Sequence, residues 1–258
     1  MYTYEGMVAE TVSYRGHSGD LIEAYGARPL GPQPTAGVVV IHHRPGWDTW
    51  TKEVVRKLAH NGYAAVAPHL YCRFGPGSPD DVAATARNAG GVSDEQVIGD
   101  VKGSIEYLKS IPNHNGKVGV IGFCSGGRHS YLVACTLPNI DAAVDCWGGN
   151  VILHDTDASG RQPAQVLDLT KDLSSPLLGI FGNDDQNPSI DDVNRTEQEL
   201  KKLNKSYEFH RYDGAGHGFF ATDRPGYRPE QAVDGWSQVF AFYDRYLKAG
   251  TPALVATA

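Results

Sequence analysis

Apolar runs alternate with helical patterns along the chain. Residues 37–41 (GVVVI) are β-branched without polar alternation, as expected of a strand buried on both faces. Residues 50–60 place charged and apolar side chains at helical spacing, and Gly62 stops that helix before a strand at 63–68 (YAAVAP). A helix is predicted over 94–109 with Ser93 as its N-cap. A strand at 117–121 (KVGVI) and a helix at 126–135 follow. Strands at 142–147 and 177–181 come next. A helix at 190–203 carries acidic residues early and lysines late, in keeping with its dipole. A strand at 207–212 and a closing helix at 229–247 complete the pattern.

This alternation predicts an α/β fold, a mostly parallel central sheet with helices on both faces. The start differs. Residues 8–14 and 21–27 are strand-like and joined by a turn at 16–20, which predicts an antiparallel hairpin at one sheet edge. The polar, irregular stretch 148–175 reads as an insertion over one end of the sheet. With no repeat or low-complexity linker, residues 1–258 are expected to form a single domain, with 251–258 as a loosely ordered tail. Ligands of open parallel sheets bind beyond the carboxyl ends of the strands. That rule directs attention to 42–47, 69–74, 122–127, 147–150, 182–187 and 213–219.

A 258-residue chain with 41% hydrophobic and 21% charged residues suits one globular α/β domain with its own core. A net charge of −7 argues against a nucleic-acid partner, although a local cationic pocket is compatible with it. The four cysteines form no CxxC pair and no zinc spacing, and no HExxH motif occurs, so neither metal nor cofactor is expected. Residues 1–15 lack a basic stretch followed by an apolar run, and no apolar stretch approaches the ~20 residues that span a bilayer. The expectation is a cytoplasmic protein with free thiols, a small-molecule substrate and no membrane partner.

The sharpest chemical signal is Gly122-Phe123-Cys124-Ser125-Gly126-Gly127, between a strand and a helix. This G-x-C-x-G pattern is a nucleophile elbow with cysteine in the serine position. The following helix points its N-terminus at Cys124, which favours a thiolate and a developing oxyanion. A free thiol is only a few per cent ionised at neutral pH, so full ionisation gains roughly thirtyfold at most. An oxyanion-hole donor is worth ~10²–10³. Its donors would be the backbone N–H of Ser125 and one from the His43-Arg44 turn. Of ten histidines, His217 is the best-placed base, in the glycine-loosened loop 213–219 after a strand and near the C-terminus. The order nucleophile, acid, histidine is that of α/β-hydrolases. The acid lies in Phe181-Gly-Asn-Asp-Asp185, where Asp185 fits the spacing better than Asp184.

Together these residues resemble the dienelactone hydrolase family of α/β-hydrolases. The likeness runs from about Gly37 to the last helix. It rests on the GxCxGG elbow, Pro68-His-Leu-Tyr-Cys-Arg73, Asn115-Gly-Lys-Val-Gly119, the GxxD turn at Asp185 and the AGHGF loop at His217. The resemblance implies a Cys124-His217-Asp185 triad and matches Arg73 to an arginine that binds the carboxylate of an enol-lactone. Two departures stand out. Where the family has a glutamate that interacts with the resting cysteine, this chain has His43, with Gly46 three residues on. A histidine there would pair with the thiolate and keep it activated. Ala221 stands four residues after His217, where the namesake carries a second substrate-binding arginine.

The leading expectation is hydrolysis of an activated ester or lactone through an acyl-thioester on Cys124. Tyr71 and Trp147, with His43 and Arg73, are candidate substrate-binding residues. A thioesterase or other acyl hydrolase is the alternative within enzymes. A small-molecule binding or redox-sensing protein on the same fold is the alternative outside them.

Overall fold

A computed structural model describes residues 6–154 and 165–248. Its eight-stranded sheet comprises β1 (Met7–Arg15), β2 (Leu21–Pro29), β3 (Thr35–Ile41), β4 (Tyr63–Pro68), β5 (His114–Phe123), β6 (Ala142–Cys146), β7 (Leu177–Gly182) and β8 (Tyr207–Tyr212). The spatial order is β1-β2-β4-β3-β5-β6-β7-β8. β1 pairs antiparallel with β2, and β2 with β4, while every pairing from β4 to β8 is parallel. The expected edge hairpin and parallel core are both present.

Six α-helices join these strands among the described residues: α1 (Thr49–His60), α2 (Pro79–Asn88), α3 (Asp94–Ser110), α4 (Ser125–Thr136), α5 (Ile190–Lys202) and α6 (Pro229–Tyr243). β3 shows why the central strands read as uninterrupted apolar runs. Val39 and Ile41 face one cluster, with Val101 of α3 and Leu132 of α4. Val38 and Val40 face the other, with Val55 of α1 and Trp236 of α6. A strand covered on both sides has no solvent face on which to place polar residues.

Two differences from the sequence reading matter. First, α2 was not foreseen in the Gly- and Pro-rich stretch after β4. Its start signal is complete: the Ser78 hydroxyl accepts the Asp81 N–H, Pro79 opens the helix, and Asp80 and Asp81 lie in its first turn. Second, the expected insertion over 148–175 is partly core structure. A 3₁₀ turn, Val166–Asp172, buries Val166 and Thr170, and Thr170 Oγ1 lies 2.8 Å from the Tyr131 hydroxyl of α4. The remainder of that stretch at 155–164 and the tail at 251–258 lie outside the described residues.

Strand order prepares the site. Cys124 follows β5, near the sheet centre, with β3 on one side and β6 on the other. The loops after β7 and β8 lie further along on the β6 side.

Candidate active site

Cys124 sits between β5 and α4 with φ 57° and ψ −122°. A non-glycine residue in this region costs about 1–3 kcal/mol, so the surroundings must hold it there. Close approach explains the flanking glycines. A Cβ on Gly122 would collide with the Gly126 carbonyl, and one on Gly126 with the Ile41 carbonyl. The backbone N–H of Cys124 is itself held by the Cys146 carbonyl of β6, at 3.1 Å.

His217 and Asp185 come from adjacent loops that are bonded together. The Asn183 N–H donates to Tyr212 O, and the Asp184 N–H to Ala215 O, each at 2.9 Å. The structure separates the two candidate acids. Asp184 is exposed, whereas Asp185 is buried with Oδ2 2.8 Å from His217 Nδ1. Its other oxygen, Oδ1, accepts the Asn187 N–H at 2.9 Å. The rest of the His217 ring hydrogen-bonds Cys124.

The charges at the sulfur follow. Burial works to raise the Cys124 pKa. The hydrogen bond and charge of His217, with the backbone N–H groups of Ser125 and Arg44, outweigh burial and bring it below the ordinary thiol value. Burial works to lower the pKa of His217, but its bonds to Asp185 and Cys124 raise it to about 10. Both directions favour movement of the proton from the Cys124 sulfur to the His217 imidazole. The amides of Ser125 and Arg44 come from two different segments, the start of α4 and the loop after β3.

Cys124 and His217 open into a cavity of about 740 Å³. Tyr71 lines it, with its hydroxyl donating to Arg44 O at 3.3 Å, and burial pushes the phenol up to about 12. The other three expected substrate contacts lie elsewhere. His43 is turned to Asp48, with Nε2 2.7 Å from Oδ2, and its ring packs against Trp50. The histidine that hydrogen-bonds Cys124 is therefore His217. Trp147 is core: it is 1% exposed, among Phe123, Phe219 and Phe220.

Arg73 is also absent from the cavity lining. Its Nη1 and Nη2 bond the two oxygens of buried Asp100 at 2.8 and 3.0 Å, and its Nε bonds Asp20 at 2.8 Å. It ties the β1–β2 turn to α3 and does not reach toward the nucleophile.

Arg87, Val92 and Arg128, outside the segments singled out from the sequence, also line the cavity, as does Asn150, at the end of the expected 147–150 segment. Arg128 is 1% exposed. Its guanidinium makes bonds of 2.6 and 3.0 Å to Asp94, and its Nε donates to Asn150 O, joining α4 to two neighbouring segments. The only sequence signal for Arg87 was the unread start of α2. Among the described residues, no group of three or more His, Cys, Asp or Glu is placed to hold a metal ion. No described helix is long and apolar enough to cross a membrane.

The comparisons agree with this architecture. The model of the dienelactone hydrolase family matches residues 22–247. A Salmonella typhimurium protein named "Putative carboxymethylenebutenolidase" is 32% identical over 255 residues, covering 95% of this chain and 91% of its own. An Escherichia coli K12 protein of the same name is 34% identical over 239 residues, covering 88% and 84%. A Klebsiella pneumoniae crystal structure named "Putative Dienelactone Hydrolase" superposes with a TM-score of 0.84 at 29% identity, covering 94% of this chain and 100% of the other.

Proposed function

The chain belongs to the dienelactone hydrolase family and is a carboxylic-ester or lactone hydrolase, and on that premise we propose that it works through a thioester on Cys124. The observation that carries the proposal is the set of partners at one sulfur: His217 and the Ser125 and Arg44 amides.

In the proposed cycle, the Cys124 thiolate adds to the ester carbonyl carbon. The Ser125 and Arg44 N–H groups receive the oxyanion. His217 gives its proton to the departing oxygen as the carbon–oxygen bond breaks, leaving an acyl-thioester and a neutral imidazole. The imidazole then takes a proton from water as the water oxygen adds to the thioester. Collapse of that intermediate expels the thiolate and releases the acid, while His217 remains protonated. Asp185 holds the His217 tautomer throughout and stabilises its charge.

A thiolate leaves a tetrahedral intermediate more readily than a simple alkoxide does. The proposal therefore favours esters and lactones with enol or phenol leaving groups. The test is hydrolysis of a phenyl ester beside a dienelactone, by wild type and Cys124→Ala under reducing conditions. Loss of turnover in a folded Cys124→Ala supports the acyl-thioester. Retained turnover rejects it. No turnover by the wild type, with Cys124 still reactive toward electrophiles, favours a binding or sensing role.

A further inference from the structure

We propose that His42 is a positioning residue for acyl transfer: its ring holds the peptide unit between His43 and Arg44 so that the Arg44 N–H stays aimed at Cys124. The role belongs to the acyl-thioester cycle proposed above and rests on that reading. The Arg44 amide reaches the sulfur. The carbonyl of the same peptide unit, His43 O, lies 2.9 Å from His42 Nδ1 and also accepts the Gly46 N–H at 2.9 Å. The bond between His43 and Arg44 is trans. A trans peptide is planar, so its C=O and N–H point in opposite directions. Turning the Arg44 N–H away from the sulfur would break both bonds at His43 O. The next carbonyl, Arg44 O, is held in turn by the Tyr71 hydroxyl.

The ring chemistry leaves one assignment. A carbonyl oxygen only accepts, so Nδ1 carries the hydrogen and Nε2 is a bare acceptor. His42 is 2% exposed, and burial lowers its pKa to about 3, so the ring is neutral at ordinary pH. Among the described residues Nε2 has no hydrogen-bond partner. As packing alone such a ring is costly, because one nitrogen gives up water without a replacement. Its contact with Tyr71 is edge-on, with ring centroids 4.7 Å apart. Its backbone lies against the elbow, where a Cβ on Gly126 would come 2.7 Å from His42 O. Arg44 and Tyr71 line the cavity and His42 does not, so the ring acts through the peptide and not on the substrate.

The test compares wild type with His42→Leu and His42→Asn. Leucine removes the donor, whereas asparagine puts an amide nitrogen where Nδ1 stands. His42→Ala is the second donor-free variant should the leucine variant not fold. One readout is steady-state hydrolysis of a phenyl ester. The other needs no turnover: inhibition by an aryl trifluoromethyl ketone, where the sulfur adds to the carbonyl carbon and the carbonyl electron pair moves to oxygen as an oxyanion. The donor-free variant should lose about tenfold or more in kcat with KM within about twofold, and bind the ketone correspondingly more weakly. His42→Asn should recover most of both. Alkylation of Cys124 by iodoacetamide at alkaline pH builds no oxyanion and should stay near wild type throughout. Unchanged kcat and ketone inhibition in a folded donor-free variant would overturn the proposal, as would an equal loss in His42→Asn or a parallel loss of alkylation. Ester turnover that Cys124→Ala abolishes and the donor-free variant leaves intact keeps the acyl-thioester and rejects the positioning. No ester turnover, with ketone binding that weakens and is restored by asparagine, keeps the positioning and rejects the hydrolytic cycle.

Discussion

His217 Nδ1 and Asp185 Oδ2 lie 2.8 Å apart, and Asp185 is 6% exposed whereas the neighbouring Asp184 is open to solvent. A buried carboxylate on Nδ1 leaves the rest of the ring for Cys124 and keeps its tautomer defined. Replacing Asp185 with Asn keeps the shape but removes the charge. Asp185→Asn should lower kcat by about 10²–10⁴, while Asp184→Asn stays near wild type. Steady-state hydrolysis of a phenyl ester separates the two. Equal losses would reject the assignment of the acid.

The contact between Cys124 and His217 should set the pH response. The Cys124 pKa is lowered, so the thiolate should persist as pH falls below the ordinary thiol range. Alkylation of Cys124 by iodoacetamide should therefore remain fast at neutral pH. Hydrolysis should decline above about pH 10, where His217 loses the proton it gives to the leaving group. In His217→Ala burial acts without compensation, so alkylation should need more alkaline conditions. A His217→Ala profile matching wild type would show that the imidazole does not set the thiol's ionisation.

Arg73 should prove a structural residue. Its partner Asp100 is fully buried and also accepts the His17 N–H at 2.8 Å. Arg73→Gln leaves that carboxylate without its cation and should cost about 2–4 kcal/mol, at the low side because water reaches the arginine. Urea unfolding measures this loss. The preference between anionic and neutral esters should not follow it, and a selective loss on the anionic ester would return Arg73 to substrate binding.

Asp145 makes stability depend on pH. It is 2% exposed behind the elbow, with Oδ1 accepting the Gly148 N–H at 2.7 Å, and burial raises its pKa from 3.8 to about 7. The folded protein holds this proton more tightly than the unfolded chain does. The associated stability is complete below about pH 4 and is lost as pH rises through about 7. Asp145→Asn lacks this titration. Wild type should weaken relative to it by up to about 4 kcal/mol between pH 4 and 8, by thermal or urea unfolding. A constant difference across that range would reject the assignment.

The fold was legible because its signals are local and strong. β-branched runs such as 37–41 can be stable only where both faces are covered, and the predicted strands at 63–68 and 207–212 match β4 and β8 at both ends. The close-packed turn at Cys124 announced itself through Gly122, Gly126 and Gly127, since larger side chains would strike neighbouring backbone or side-chain atoms. α2 lies in a stretch that the strand–helix pattern left unassigned, although Ser78-Pro79-Asp80-Asp81 carries a helix start signal.

Residue order alone was enough to fix the strand–helix alternation, the elbow and the loops that carry His217 and Asp185, because backbone geometry and hydrophobic period act over a few residues. Tertiary structure alone decided the partners. His43 follows β3, the neighbour of the nucleophile's strand β5, yet Asp48, five residues on, takes its ring. Arg73 and Arg87 are both basic residues after β4, but Asp100 captures the first while α2 carries the second to the cavity. A guanidinium can extend several ångströms in many directions, so its role is set by the charges the fold brings within reach.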